Sequence, residues 1–375
     1  MIRRRSPPRS NICSATPKKP RRWGGEGATR SLAAITGRST AASSSNFTMT
    51  SPRGWSVPRK EYRLLAQDIR FFLLGGSDAA PAAPVEGRHV YPLDWSFQLD
   101  RPADYFEPFD EEGVPLRDLP GVIDRQYLPS RIAAYALANW NRWAEDQSPV
   151  ARTRFEASCG WFAAQPHGAF RHDFPLAGMD AGWLSCIAQG EGVSALVRGF
   201  ALTGDERMGD AARAAAGWLG KPVAEGGLLD HLPDGGPFLE EYPGTQYRHV
   251  LNGCLYAVVG LDDLAAAGLD PSGSAARLRD EVLAAIERNL ASWEIGDWTT
   301  YDFRPPEARV ERANPNTLTY QAVHWILLRH LAVRLDRPVL AAAATRWRAA
   351  AGSFAARAKA LRGKLAYRFG HGYGG

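Results

Sequence analysis

From Pro129 onward apolar residues recur at helical spacing, and the helices they predict come in pairs. The run Arg131 to Trp143 is the first, with Ser130 as its N-cap; 151–164, 190–203, 206–218, 248–267, 275–291, 317–336 and 338–361 follow. First members of successive pairs lie roughly sixty to seventy residues apart, which signals stacked helical hairpins, because one hairpin alone cannot bury its apolar face. Leu202-Thr203-Gly204-Asp205 gives the clearest turn: Gly204 suits the C-cap of one helix and Asp205 caps the next. Long connections rich in Gly, Trp and Tyr separate the pairs. The pattern predicts a mainly α protein, an (α/α) toroid or barrel over 129–363. Inner helices would line a bowl, and the connections at one rim would build a groove.

Residues 60–128 read differently. Short apolar pieces such as Tyr91 to Phe97 and Tyr105 to Asp110 alternate with Pro, Gly and Asp, which predicts a small β-rich or irregular lead-in. The first fifty residues hold ten Lys/Arg and one acidic residue with almost no apolar periodicity, so they are expected to be a disordered basic leader, with Met49 as the favoured true start. The remainder carries 35 Lys/Arg against 39 Asp/Glu. The basic balance therefore belongs to the leader, and the folded part is mildly acidic, which argues against a nucleic-acid platform. A local basic groove for an acidic sugar stays compatible with it. Cys13, Cys159, Cys186 and Cys254 are scattered without metal-ligand spacing, so no metal site is expected. No apolar run reaches the roughly twenty residues that cross a bilayer, and with no signal or anchor the expectation is a cytoplasmic enzyme.

Three segments concentrate reactive side chains: Phe238 to Pro243 running on to Val250-Leu251-Asn252-Gly253; Trp298 to Arg304; and Ala313-Asn314-Pro315 on to Tyr320 and His324. Carboxylate, phenols, guanidinium and amide together suit the handling of a proton beside a bound anion, rather than a metal cage or a nucleophile triad. No GxGxxG follows a strand, so no dinucleotide and no other cofactor is expected. Trp161, Trp183, Trp293 and Trp298 fall at segment boundaries, where aromatic rings stack on sugar faces or plug helix ends. Taken singly, each residue has a plainer reading. Glu241 suits a turn before Pro243, Arg304 an ion pair with Asp302, and Tyr320 and His324 a core-facing helix stripe.

Gly182 to Gly192, Leu202 to Asp205, Glu240 to Pro243 and Val250 to Gly253 resemble, in this order, the C-terminal domain of D-glucuronyl C5-epimerases, and the likeness continues through Trp298–Arg304, Ala313–Pro315 and Tyr320. It spans about 160–350. Those enzymes convert glucuronate to iduronate within heparan-type chains, and their helical domain is an (α/α) barrel. The resemblance implies that Glu241 and Tyr320 exchange protons from opposite faces, with Tyr301 and Tyr242 as active-site tyrosines. It places Asn252 and Arg304 at the substrate carboxylate, and Trp183, Gln189 and His324 along the substrate. It further implies an isomerase acting on an acidic, heparosan-like polysaccharide, and it admits a homodimer. One departure stands out: Gln321 occupies the position of a family histidine.

The proton alpha to a carboxylate is very weakly acidic, because its removal adds a second negative charge to the uronate. Arg304, Asn252 and a tyrosine hydroxyl are suited to stabilise that charge. A glutamate with raised pKa and a tyrosine with lowered pKa would then share the proton transfers near neutrality. Two other enzymes begin from comparable residues: a uronate polysaccharide lyase, which would go on to expel the 4-oxygen, and an (α/α) glycoside hydrolase using two carboxylates. An inactive carbohydrate-binding relative is the non-enzymatic alternative.

Overall fold

A computed structural model describes residues 65–371 apart from 67, 75–78, 102–104, 120–122, 246–248 and 305–312. The basic leader and Met49 lie outside the described residues. Four helical hairpins form the body: α1 (Pro129–Asp146) with α2 (Pro149–Ala163), α3 (Cys186–Thr203) with α4 (Glu206–Leu219), α5 (Leu251–Ala266) with α6 (Ser274–Asn289), and α7 (Leu318–Arg334) with α8 (Pro338–Gly352). Each odd-numbered helix also packs on the next odd-numbered one, so α1, α3, α5 and α7 form an inner row backed by their partners. This is the (α/α) barrel architecture read from the periodicity.

Composition decides which helix of a pair lies inside. Every residue of α5 from Leu251 to Leu264 is buried, because the segment is nearly all apolar. Its partner α6 alternates Arg, Asp and Glu with Val282, Leu283 and Ile286, giving one buried stripe and one wet face. The α3–α5 crossing depends on two glycines. A Cβ on Gly190 would lie 2.3 Å from the Ala257 Cα, and one on Gly260 would lie 2.3 Å from the Gly190 carbonyl oxygen. Between α3 and α4 the expected turn forms: Gly204 is left-handed at φ 71°, and the Asp205 side chain accepts from Arg207 N. The expected single helix over 338–361 is instead two. Ser353 adopts extended backbone after Gly352, its Oγ accepts from Ala356 N at 3.3 Å, and α9 (Phe354–His371) starts in a new direction, running past the expected boundary at 363.

The lead-in closes the row. The short strands β1 (Ala80–Pro81) and β2 (Leu93–Asp94) pair antiparallel and pack on α7. From α1, Asn141 Oδ1 accepts from Tyr91 N at 2.8 Å, and its Nδ2 donates to the Tyr91 and Leu93 carbonyls at 3.0 Å each. His89 gathers the C-terminal halves of the inner helices: Trp140 Nε1 donates to its carbonyl at 2.9 Å, while Arg198 and Arg334 reach its two ring nitrogens at 3.1 and 3.0 Å. Around it, Arg198–Asp263 and Arg334–Asp262 pair at 2.6 Å and tie α3 and α7 to α5. This end of the barrel is sealed by charge. Three further antiparallel pairs are small: β3 (Leu116–Leu119) with β4 (Ile123–Tyr127), β5 (Leu229–His231) with β6 (Pro237–Leu239), and β7 (Glu294–Ile295) with β8 (Trp298–Thr299). The last two lie in the connections entering α5 and α7, so they stand at the opposite end, where the inner helices begin.

Candidate active site

The turn after β6 delivers Glu240 and Glu241 to the start of α5. Glu240 N donates to the Leu228 carbonyl, and the Glu240 carbonyl accepts from Cys186 N at the first residue of α3. The Glu240 carboxylate is spent locally, 2.6 Å from His249 Nδ1 and accepting from His249 N at 3.1 Å. Glu241 therefore points the other way, against the opening turn of α5, where Asn252 Nδ2 lies 3.5 Å from its Oε2. Gly253 makes this approach feasible: a Cβ there would sit 2.8 Å from both Glu241 Cβ and Oε2. Glu241 is 5% exposed. Burial pushes its carboxyl up to about 7, offset by the Tyr242 hydroxyl and reinforced by the charge of Glu240.

The aromatic wall comes from three connections. Tyr242, Met179 and Val250 form a small buried cluster on which Trp183 and Tyr301 pack. Trp183 stands 6.2 Å from Tyr242 between ring centroids; its own indole N–H donates to the Phe174 carbonyl, and its ring stacks on His172 at 3.9 Å. Tyr301, just beyond β8, meets Tyr320 on the first turn of α7 edge-on at 5.8 Å. Burial, and then the carboxylate of Glu241, push the Tyr320 phenol up. The sequence led us to expect a lowered tyrosine, and the cause of the difference is physical. Tyr320 is buried beside a carboxylate, and both effects favour the neutral phenol. Arg304 lowers the neighbouring Asp302 carboxyl, and its backbone N–H donates to the Ser292 carbonyl at 2.8 Å.

Glu241, Tyr242, Asn252, Tyr301, Tyr320 and Trp183 are thus neighbours, with Arg304 on the same β8-to-α7 connection. Two expected substrate residues are placed elsewhere. Gln189 is fully buried: its carbonyl accepts from Phe170 N at 2.7 Å, and its amide donates to the Gly168 and Ala215 carbonyls at 2.9 and 3.0 Å. It splices a connection to α3 and α4 and has no donor to spare for a sugar. His324 lies behind Thr299, with Nδ1 3.0 Å from its Oγ1, and burial pulls its pKa down to about 3, so it is neutral. Gln321 accepts from both Thr299 N and Oγ1 and donates to the Trp347 carbonyl. The position that departs from the family pattern thus clamps β8 to α8 rather than facing the tyrosines.

A further buried carboxyl lies on α3, one the sequence offers as either a helix N-terminal carboxylate or a groove residue. Glu191 on α3 is 3% exposed, and burial raises it to about 8, with the Tyr91 hydroxyl pulling it down. Burial, and then the charge of Glu191, push the Tyr256 phenol on α5 up. A glutamate amid Gly190, Gly192 and Val193 on an inner helix was the available signal. Cys159, Cys186 and Cys254 are buried free thiols. Among the described residues no group of three or more His, Cys, Asp or Glu is placed to hold a metal ion, and no helix is long and apolar enough to cross a membrane.

Residues 165–349 match the family model described as D-glucuronyl C5-epimerase C-terminus. Over 176 residues the chain is 34% identical to a D-glucuronyl C5-epimerase from Caenorhabditis elegans, covering 44% of this chain and 28% of that one. The chain thus spans little more than a quarter of the length of this curated relative. Among solved structures, an unsaturated glucuronyl hydrolase from Bacillus sp. GL1 aligns with a TM-score of 0.43 and 14% identity over 76% of this chain and 80% of that one.

Proposed function

We propose that the chain is a D-glucuronyl C5-epimerase, on the strength of the match of residues 165–349 to that family's C-terminal model, and that it inverts C5 of hexuronate units within an acidic, heparosan-like polysaccharide. The observation that carries this reading is that the buried Glu241 carboxyl and the Tyr320 phenol, which feels its charge, stand beside one cluster of aromatic side chains. Near neutrality a carboxyl titrating at about 7 supplies both a base and its conjugate acid. A phenol held above its usual value is an acid at that pH.

The roles follow. Glu241 takes the C5 proton of glucuronate, and the electron pair moves into the uronate carboxyl, which becomes doubly charged. Asn252 and Arg304 stabilise that charge, by hydrogen bonding and by field. Tyr320 returns a proton to the opposite face, and the ring carbon leaves with inverted configuration and no change of oxidation state. The two transfers are coupled. The charge of Glu241 is one reason the Tyr320 phenol resists ionisation, so once Glu241 has accepted the C5 proton that obstacle is gone. The proton then passes from Glu241 back to Tyr320 by way of solvent before the next glucuronate is turned over. Trp183 and Tyr242 offer ring faces for the apolar side of a sugar.

The test uses Glu241→Gln, which keeps the shape of the side chain and removes the base. The variant is expected to bind heparosan as the parent protein does and to lose exchange of the C5 hydrogen with solvent by at least about a hundredfold. Undiminished exchange would refute the assignment. Growth of ultraviolet absorbance from a conjugated alkene in the parent protein would assign a lyase instead, because elimination shares the first step.

A further inference from the structure

The family match ends at residue 349, but the fold continues through α9, which returns to the site. Gly363 lies flat on Pro315: a Cβ there would meet the Pro315 ring at 3.0 Å. One residue on, Lys364 Nζ donates to Asn314 Oδ1 at 2.5 Å. The Asn314 carbonyl accepts from Tyr301 N at 3.1 Å, and Asn316 Nδ2 donates to the Thr300 carbonyl at 2.8 Å. On the next turn of α9, Arg368 pairs with Asp68 at 2.6 Å, which fixes the helix from a second side. A cation from outside the family segment therefore stands one side chain away from the backbone of Tyr301.

We propose that Lys364 is a substrate-binding residue of this site, a second cation beside Arg304 that receives a carboxylate of the uronate polymer. The proposal rests on the epimerase reading for the identity of the polymer, and on the geometry of α9 for the residue. An ammonium has three donors, and Asn314 occupies one. Among the described residues, the acidic groups that act on Lys364 are Asp68 and Asp302, and both are shared with arginines. Asp68 is committed to Arg368, and Arg368 itself repels Lys364. Asp302 attracts it, but burial holds that carboxyl above its usual range and Arg304 shares it. The Tyr367 ring, 6.0 Å away, is the remaining neighbour on its own helix. Burial, then Arg368, pull the ammonium down to about 8 against Asp68 and Asp302. A polymer carboxylate arriving there adds a counter-charge and holds the proton on Lys364.

The experiment compares the full chain with Lys364→Met and Lys364→Arg, using heparosan oligosaccharides in calorimetric titrations and in C5 exchange assays from about pH 6 to about pH 9. Lys364→Met is expected to weaken binding and raise KM by about tenfold at pH 7, to change kcat far less, and to flatten the salt dependence of binding. Lys364→Arg is expected to restore affinity at pH 7 and, because guanidinium stays charged, to keep it above pH 8, where the parent protein weakens. Parent-like affinity and salt response in Lys364→Met would overturn the proposal. So would failure of Lys364→Arg to rescue while its melting temperature matches the parent, since that outcome marks the amine as a purely structural tie to Asn314. If the parent protein binds heparosan in a Lys364-dependent way but exchanges no C5 hydrogen, the epimerase reading fails and this assignment stands.

Discussion

In the proposed reaction the chemistry turns on Glu241, and its environment is written in the residues beside it. Glu240 is held by His249 at 2.6 Å, Gly253 clears space, and burial lifts the Glu241 carboxyl to about 7. The sign of the pH effect is fixed by its role. Below about pH 7 the carboxyl is protonated and cannot accept the C5 proton, so kcat/KM for glucuronate units is expected to fall about tenfold per pH unit on the acid side. A profile of kcat/KM against pH checks this; a flat response down to about pH 5 would mean another base does the work. The resemblance, rather than the plain reading of the segment, pointed to Glu241 and Tyr242, which taken singly suit a turn before Pro243. It misjudged Gln189 and His324, since a polar side chain on an inner helix can face either the bowl or the seam between helices. Only the positions of Phe170, Gly168, Thr299 and Asn316 decide which.

At the scale of elements, the inner helices were legible because their apolar residues recur at helical spacing over four turns or more. The hairpins β5/β6 and β7/β8 were not, because strands of two or three residues carry no period to read. The break at Ser353 was missed because Ala and Arg continue a helical pattern across it. Two outcomes belong to this scale. The α3–α5 crossing leaves no room at Gly190, so Gly190→Val is expected to lower stability by about 3 kcal/mol or more, read as a drop in the denaturant midpoint. Glu191 contributes oppositely to what a buried ion pair would. Its carboxyl, near 4.5 in the unfolded chain and about 8 in the folded one, holds its proton only when folded. That stability contribution is complete below about pH 4.5 and is lost as pH rises toward 8. Glu191→Gln, neutral throughout, is therefore expected to be more stable than the parent protein by a few kcal/mol at pH 8 and near parity at pH 4. Chemical denaturation at the two pH values checks it, and equal differences at both would contradict it.

For the molecule as a whole, the two ends of the barrel divide the work. The end where the inner helices finish is locked by His89, Arg198, Asp262, Asp263 and Arg334, whose charges are matched at close range. The end where they begin carries Asn252 and Tyr320 on opening turns, where the helix dipole favours negative charge. The hairpin periodicity made the barrel foreseeable; the closure of its ring by Tyr91 and His89 was not, because it depends on pairing across fifty and more residues with no local signal. The most direct measurement is proton NMR of heparosan incubated with this protein in heavy water. The account predicts loss of the glucuronate H5 signal, as deuterium enters C5 and iduronate appears, with the chain length unchanged. An H5 signal that persists undiminished at saturating protein would contradict it.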